Sequence, residues 1–350
     1  MKPEMRSPNR KFSTILTVLA CLWSITAIAN DKPIEIVKSF YKAVEQQDQK
    51  SIDALLDPEV TWIFRAQDHL VKYSGTFIGP EGVRDFFEKV QQSVSIEVFE
   101  PQNFMSSGSV VTVTGIEQAA VRSTGGRYRI KWVQFYTVEN KVITRMEEIT
   151  DSGALLEAFA PADPARGEAY YTSCAGCHGR DGEGYFAMHA PALTVLDQDY
   201  FIRQMRNFRH QVRGGPQDFY GWMMNGRSIA LSGDRAIRDV AAFIEGLPDK
   251  IEPTRRKVEG SIENGKKIYA TLCVSCHAEN ALGVPSMRGP RLAGLQDWYL
   301  EGQLIKFRSG GRGSHPDDVY GAEMKPFAEA LEGEQAVQDV AAYIASMSIN

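Results

Sequence analysis

Two pentapeptides carry the clearest chemistry in this chain of 350 residues: Cys174-Ala-Gly-Cys177-His178 and Cys273-Val-Ser-Cys276-His277. The pattern C-x-x-C-H is typical of covalent haem c attachment. Its two thiols can bond to the side groups of the porphyrin, while the adjacent imidazole reaches the iron from the proximal side. We therefore predict two covalently attached haem c groups, held by Cys174, Cys177, Cys273 and Cys276, with His178 and His277 as iron ligands.

Other sites that use paired cysteines fit these motifs less well. A structural zinc site needs four ligands and each motif offers three, while one zinc site made from all four cysteines would leave both histidines unexplained. A thioredoxin-like redox pair expects a βαβ context, whereas the flanks here favour helices. The fifth cysteine, Cys21, lies in the apolar N-terminal run, so no pair remains for a disulfide.

An internal repeat places the two motifs in equivalent positions. Residues of the first copy recur 99 positions later, the displacement that also separates Cys174 from Cys273: Tyr200, Gln204, Phe208 and Arg209 match Tyr299, Gln303, Phe307 and Arg308. Apolar residues at helical spacing predict three helices in each copy, at about residues 168–172, 200–210 and 234–247, and 265–272, 298–309 and 334–347. The sequence thus predicts two all-α haem domains, at residues 163–248 and 259–350, with a linker at residues 249–258.

The repeat also indicates the second axial ligand of each iron. Met224 and Met324 occupy matching positions, each three residues beyond the glycine of a Tyr-Gly pair. Methionine is the axial ligand expected of an electron-transfer cytochrome c, because the thioether raises the reduction potential. We predict Met224 and Met324 as iron ligands.

Several other side chains compete for that role. Met223 and Met205 match residues other than methionine, and Met188 and Met287 follow their histidines by only ten residues, a short loop for reaching the far face of a porphyrin. His189, His210 and His315 have no counterpart in the other copy. Pro191 and Pro290, each 13 residues after its histidine, either place a neighbouring carbonyl to accept a hydrogen bond from the imidazole or are plain turn residues.

The second half contains further motifs: Gly289-Pro-Arg-Leu-Ala-Gly294, Phe307-Arg308-Ser-Gly-Gly, Gly321-Ala-Glu-Met324 and Asp339-Val-Ala-Ala-Tyr-Ile344. In these motifs residues 163–350 resemble the dihaem cytochrome c4 family and its single-haem cytochrome c553 relatives. The first copy departs from the pattern at Ala190-Pro-Ala-Leu193 and Gly221-Trp-Met-Met224. The resemblance implies two small helical haem domains related by a pseudo-twofold axis, with haems close enough for rapid electron exchange.

The first half has a different organisation. Helical spacing from Ile34 to Val44 and around residues 50–56 is followed by strands containing Trp62 and at residues 71–77, and by a helix that opens at Gly79-Pro80. Four alternating runs then predict a strand meander at residues 93–99, 110–120, 128–138 and 141–149. This order resembles the NTF2-like superfamily, in particular its SnoaL-like members, over residues 31–159. The resemblance implies an α+β cone, in which a curved antiparallel sheet wraps around three helices.

Such a cone is a natural binding cavity, although fold alone does not settle function. Arg65, Asp68, His69 and Tyr73 could supply acid and base groups to it, but the same polar stretch is equally typical of a solvated hairpin loop. No catalytic residue is assigned. The domain either binds, docks or dimerises, or it catalyses a reaction.

The N-terminus predicts export. Basic residues within positions 2–11 precede an apolar run at 15–28, which is typical of a signal peptide at residues 1–29. An uncleaved anchor, for which the run is short, and a lipid anchor at Cys21 are the alternatives. The chain carries a formal net charge of −5 and the signal contributes +3, so the mature chain would carry −8, which disfavours non-specific binding of nucleic acid. We predict a periplasmic protein.

Together these features predict an exported dihaem c-type cytochrome that transfers single electrons between redox partner proteins, such as an oxidase, a reductase or a dehydrogenase. The NTF2-like domain would serve docking, homodimerisation or small-molecule binding, and membrane association would occur through a respiratory partner. The alternative is an oxidoreductase whose cone binds a small organic substrate and passes electrons to the haems. A dihaem peroxidase is disfavoured, because it needs an open iron site and both copies offer a methionine.

Overall fold

The structure, a computed structural model, describes residues 32–215, 218–248, 250–251 and 257–347. The predicted signal peptide with Cys21 and most of the predicted linker at residues 249–258 lie outside the described residues. The chain divides into two compact units, the first ending at Ala160 and the second beginning at Pro161. Within the described residues, no helix is long and apolar enough to span a bilayer.

The first unit confirms the predicted α+β fold. Helices α1 (Pro33–Glu45), α2 (Gln49–Ala54) and α3 (Gly79–Ser93) accompany a six-stranded sheet. Its strands are β1 (Leu56–Phe64), β2 (Gly75–Ile78), β3 (Val94–Ser107), β4 (Val110–Val121), β5 (Arg127–Glu139) and β6 (Val142–Thr150). The order is β2-β1-β6-β5-β4-β3, with β1 parallel to β6 and all other neighbours antiparallel.

In this unit, buried residues recur at helical spacing in the helix α1 and at every second position in the strand β5. α1 buries Val37, Phe40 and Ala43 on one face, and β5 buries every second residue from Tyr128 to Val138. The inward faces of the sheet and the buried helix faces therefore form one hydrophobic core.

Three elements of the first unit differ from the prediction. The strand predicted at residues 93–99 continues as β3 to Ser107. The strand predicted at residues 71–77 is confined to β2, because the preceding residues form a turn in which the Ser74 amide donates to the Val71 carbonyl. A helix not predicted from the sequence, α4 (Ser152–Phe159), follows the sheet. The Asp151 side chain caps it by accepting a hydrogen bond from the Ala154 amide at 3.0 Å.

The second unit consists of two similar helical copies. The first contains α5 (Pro164–His178), α6 (Gln198–Arg209), α7 (Phe219–Ala230) and α8 (Gly233–Glu245). The second contains α9 (Ile262–Leu272), α10 (Val274–His277), α11 (Asp297–Arg308), α12 (Val319–Glu329) and α13 (Gly333–Ala345). The predicted helices are present in both copies, and the helical fold is confirmed.

Glycine allows the first and last helices of each copy to meet. A Cβ atom at Gly167 would lie 2.0 Å from the Asp239 carbonyl oxygen, and one at Gly265 would lie 2.0 Å from that of Asp339. The side chains of the same aspartates accept hydrogen bonds from the residue that precedes the first helix of each copy. Asp239 accepts from the Asp163 amide and Asp339 from the Ser261 amide, both at 2.7 Å. The repeat thus extends to the packing of its helices.

The sequence did not predict α7 and α12, the helices that carry Met224 and Met324. α7 contains Gly221 and Gly226, and α12 contains Pro326. These residues have low helix propensity, so the sequence of neither segment favours a helix. Both helices are instead initiated by a cap, in which Asp218 or Asp318 accepts the amide of Gly221 or Gly321.

Candidate haem-binding sites

The first motif lies at the end of α5, and the second spans the junction of α9 and α10. Both motif histidines are buried, each with an exposed fraction of 6%. His178 Nδ1 lies 2.9 Å from the Pro191 carbonyl oxygen, and His277 Nδ1 lies 2.8 Å from that of Pro290. The expected hydrogen bond is present in both copies, but its acceptor is the proline's own carbonyl rather than that of a neighbour.

This contact prepares the imidazoles for a metal. When Nδ1 donates to a carbonyl, Nε2 is the nitrogen left to bind iron. Burial lowers the pKa of both His178 and His277, and the hydrogen bond to the proline carbonyl only partly offsets this. Both rings are therefore held in the neutral form that ligates a metal.

Each copy brings its predicted residues to one cavity. Cys174, Cys177, His178 and Met224 line a cavity of about 320 Å³. The equivalent set lines a second cavity of about 150 Å³: Cys273, Cys276, His277 and Met324. None of the four motif cysteines is paired in a disulfide. Two thiols, one imidazole and one thioether in an otherwise mainly apolar cavity form a donor set that fits haem c.

The other methionines considered as iron ligands do not all have a counterpart at the other cavity. Met188 and Met287 each line the cavity of their own copy, from the same loop as the proline that holds the histidine. Met223 lines the first cavity, but its counterpart is Glu323. Met205 is buried in the core on α6 and also lines the first cavity. Met224 and Met324 remain the matched thioether pair outside the loop of the proximal histidine.

The histidine alternatives do not form a matched pair. His189 stacks on Tyr220, with ring centroids 4.3 Å apart, and lines the first cavity. His210 and His315 line neither cavity. Apart from His178 and His277, the described residues of the two copies therefore offer no matched pair of histidines at the cavities.

The two cavities share part of their walls, where the copies meet. Tyr200, Gln204, Tyr299 and Gln303 line both cavities. Arg213 lines the first cavity and Arg312 the second. We call these six residues the junction cluster. Its existence means that the two sites open towards one shared polar region.

The polar residues predicted around the cone of the first unit are not brought together. Arg65 is exposed and lies 3.7 Å from Glu147, and His69 is exposed. Asp68 accepts a hydrogen bond from Ser74 Oγ at 2.6 Å. These three residues belong to a solvated loop, whereas Tyr73 is buried in the core.

A different polar cluster lies inside the first unit. Gln134 Nε2 donates to Glu148 Oε2 at 2.7 Å, and the hydroxyls of Tyr41 and Tyr136 donate to Gln134 Oε1. Tyr128, also on β5, donates its hydroxyl to Glu117 Oε1 on the neighbouring strand β4 at 2.6 Å. Burial raises the pKa of Glu148 to about 8, with the nearby Glu117 charge adding to the rise and the Gln134 hydrogen bond opposing it. Burial also raises the pKa of Glu117.

The sequence analysis missed Glu117, Gln134 and Glu148, although the signal was present. Glu117 is in phase with Val111, Val113 and Ala119 on β4, so strand alternation turns it inward. Gln134 is likewise in phase with Trp132 and Tyr136 on β5. A polar residue at an inward position of an apolar alternation was the pattern to look for.

Comparison with known proteins agrees with this division of the chain. The SnoaL-like domain family matches residues 37–146, and the cytochrome c family matches residues 164–248 and again 262–348. A thiosulfate dehydrogenase electron acceptor of Stutzerimonas stutzeri is 31% identical over 207 residues, covering 53% of this chain and 88% of the relative. A cytochrome c4 of Azotobacter vinelandii is 26% identical over 195 residues, covering 53% of this chain and 90% of the relative.

Solved structures similar to each unit are also known. An NTF2-like protein from Burkholderia xenovorans has 28% identity and a TM-score of 0.35, covering 37% of this chain and 95% of its own. Reduced recombinant cytochrome c4 from Pseudomonas stutzeri has 23% identity and a TM-score of 0.43, covering 53% of this chain and 100% of its own.

Proposed function

The chain belongs to the dihaem cytochrome c4 family, with a SnoaL-like domain ahead of the two cytochrome domains, and from this we propose that it is an exported carrier of single electrons between redox proteins. It binds two covalently attached haem c groups and functions in electron transfer. The observation that carries the proposal is the pair of cavities with duplicated donor sets and a shared wall. Two redox centres that share a wall form a relay rather than two independent sites.

The residues assigned to the haems follow from that duplication. Cys174 and Cys177 would hold the first haem, with His178 and Met224 on its iron. Cys273 and Cys276 would hold the second haem, with His277 and Met324 on its iron. Haem iron supplies the reversible one-electron change when it is bound.

The protein's own groups set the conditions for that change. The Pro191 and Pro290 carbonyls fix the orientation of the two imidazoles. Buried apolar side chains around each cavity exclude water, among them Phe208 in the first and Leu304 in the second. A dry site whose iron ligands would be held by the fold would favour electron transfer over substrate chemistry.

The partner class follows from the relatives. One of them is named as the electron acceptor of thiosulfate dehydrogenase, and FixP of Sinorhizobium medicae is a subunit of a cbb3-type cytochrome c oxidase. We infer that this chain accepts electrons from a dehydrogenase and delivers them towards a terminal oxidase. The predicted signal peptide supports an exchange in the periplasm, where membrane association would occur through the respiratory partner.

The test examines the iron ligands of the full-length protein. If both irons have histidine and methionine ligands, the ferric protein shows the weak near-infrared sulfur-to-iron band, and the ferrous protein does not bind carbon monoxide. Intact mass should show two haems per chain. Ready binding of carbon monoxide by the wild-type protein would refute the proposal that the domain concerned serves only to carry electrons.

A second candidate function concerns the SnoaL-like domain. Its core holds the Glu117 and Glu148 carboxyls together with the indole N–H groups of Trp62 and Trp132, which are buried and have no acceptor among the described residues. Uncompensated buried donors are the kind of group that a small neutral ligand satisfies. In this candidate the domain binds a small organic molecule, whose electrons pass to the haems.

Hydrogen exchange of the holoprotein separates this candidate from docking or dimerisation. Acetophenone, a neutral aromatic hydrogen-bond acceptor, serves as the probe. Binding in the core would slow exchange in β4 to β6 and would be weakened by Glu148→Ala. Unchanged exchange, with a dimer in sedimentation analysis, would favour dimerisation through this domain.

A further inference from the structure

The helix that carries Met224 presents a stripe of large apolar side chains to solvent. Phe219, Trp222 and Ile229 lie on one side of α7, at spacings of three and seven residues, and their exposed fractions are 61%, 58% and 58%. None of these three side chains lines either cavity, so holding a haem does not require them. Large apolar side chains grouped on an exposed helix face mark an interaction surface.

The equivalent helix of the second copy lacks this stripe. At the matching positions, 100 residues later, α12 has Val319, Ala322 and Glu329. The tryptophan of the stripe belongs to Gly221-Trp-Met-Met224, the segment in which the first copy departs from the motif of the second. The stripe is therefore a feature of the first copy and not a requirement of the repeated fold.

The two helices also differ in charge. α7 contains no acidic residue, and its one cation, Arg227, is exposed and has no ion pair or hydrogen bond with any described residue. By contrast, α12 carries the carboxylates of Glu323 and Glu329. The predicted mature chain would carry a net charge of −8, so α7 presents a locally cationic, apolar face on an acidic protein. Electrostatic complementarity favours a partner with an apolar face and carboxylates at its border.

The stripe lies beside the first candidate haem site. On the same helix, Met224 and Arg227 line the first cavity. Burial raises the pKa of the Cys174 thiol, and the Ser173 hydroxyl and the positive charge of Arg227 partly offset the rise, so Arg227 lies close to a cysteine of the motif. Cys174 is itself partly exposed. A protein seated on α7 would therefore approach the attachment edge of the first haem.

We propose that the outward side of α7 is the docking site of a redox protein whose contact face is apolar and bordered by carboxylates. We call this side the α7 surface and define it by Phe219, Trp222 and Ile229, with Arg227 at its border. The proposal rests on the proposed function, because docking here serves electron transfer only if the first cavity holds a haem. A second copy of this chain fits less well, since a twofold pair of α7 surfaces would bring two unpaired Arg227 side chains to one interface.

The test measures how fast reduced rubredoxin reduces the ferric full-length holoprotein in stopped-flow absorption. Rubredoxin serves as the probe because it is a small acidic protein that carries one electron. Trp222→Ala should lower the second-order rate constant by about tenfold, because buried aromatic side chains dominate the energy of protein interfaces. Arg227→Glu should lower the rate constant by a similar factor at low salt, and the loss should shrink towards about 1 M salt, where charges are screened.

Ile262→Ala and Lys266→Glu are the matched controls. They make the same kinds of change at exposed residues of α9 in the second copy, and neither residue lines a cavity. Hydroquinone, a small neutral reductant that needs no docking surface, is the reference for every variant. Dividing the rubredoxin rate constant by the hydroquinone rate constant corrects for any change in the haem itself.

If Trp222→Ala and Arg227→Glu lower this ratio no more than the two controls do, the proposal is overturned. It is also overturned if sedimentation shows a dimeric wild type and a monomeric Trp222→Ala, since the α7 surface would then pair two copies of the chain. Should Trp222→Ala fail to mature, Ile229→Ala decides by the same comparison. A wild-type protein without two haems would refute the proposed function itself, a separate result visible in the intact mass.

Discussion

The buried Glu148 side chain makes the stability of the SnoaL-like domain depend on pH in an unusual direction. Burial raises its pKa from 4.5 to about 8. Between these values the unfolded chain has released the proton while the folded chain still holds it. The free energy of unfolding therefore falls by about 1.4 kcal/mol for each pH unit in that window. From pH 4.5 to pH 7 the loss is roughly 3 kcal/mol.

Glu148→Gln should remove this loss. Glutamine has nearly the same shape, is neutral at every pH, and its carbonyl oxygen can still accept the hydrogen bond from Gln134. At pH 7 we expect the variant to be more stable than wild type by roughly 3 kcal/mol, whereas near pH 4.5 the two should be equal. Glu117 also has a raised pKa, so the variant should keep a weaker pH dependence of its own.

Hydrogen exchange of the full-length holoprotein measures this locally, because peptides from β4, β5 and β6 report the opening of the sheet that holds Glu148. At pH 7, after correction for the intrinsic exchange rate, the variant should protect these peptides roughly 100-fold more than wild type.

Glu147→Gln is the matched control. Its side chain lies next in sequence but is one-third exposed and pairs with Arg145 at 2.7 Å. This variant should gain no protection between pH 5 and pH 7. Equal protection of wild type and Glu148→Gln across that range would mean that Glu148 is ionised in the folded domain, and the proton assignment would be wrong.

Three further predictions concern the cytochrome domains. Met324→Ala should remove one thioether ligand, so that one haem per chain binds carbon monoxide and the near-infrared band falls to about half; no carbon monoxide binding would exclude Met324 as a ligand. Gly167→Ala should destabilise the first copy by several kcal/mol in urea unfolding, because its Cβ would meet the Asp239 carbonyl, whereas Gly226→Ala, with open space around its Cβ, should stabilise by about 0.5–1 kcal/mol. Equal effects of Gly167→Ala and Gly226→Ala on the free energy of unfolding would show that α5 and α8 can move apart to accommodate a Cβ atom, and would contradict the prediction. Asp239→Asn should cost roughly 1–3 kcal/mol, since the carboxylate accepts from Arg166 at 2.8 and 2.9 Å and from the Asp163 amide; an unchanged midpoint of urea unfolding would contradict this.

The sequence predicted those parts of the sites that are local in the chain or fixed by the repeat. His178 and Pro191 are 13 residues apart, and a loop that short brings the carbonyl to the ring with little dependence on the rest of the fold. Met224 and Met324 were selected because duplication exposes matched positions. α7 and α12 escaped prediction because caps and tertiary packing form them despite internal glycine and proline.

Contacts between elements distant in sequence could not be read in the same way. A repeat shows that Arg213 and Arg312 are equivalent, but it does not show that each reaches the glutamine of the other copy. Glu117 and Glu148 lie on strands separated by β5, and only the sheet order brings both to one core. Their inward orientation could be predicted from the alternation of apolar residues along each strand. Their raised pKa values could not, because these depend on how completely the core excludes water.

Duplication gives the two irons the same proposed ligands, yet the surroundings of the sites have diverged. Arg227 lines the first cavity, while its counterpart Phe327 lines the second, and Met223 of the first is replaced by Glu323. Across the junction, Lys306 pairs with Asp218 at 2.7 Å, whereas the equivalent Asn207 lies 3.4 Å from Asp318. Charges at these positions act on the iron through a medium of low dielectric, so identical ligands need not give identical potentials. Such a difference would favour one direction of electron transfer between the two proposed haems, and the junction cluster is where the two unequal sites meet.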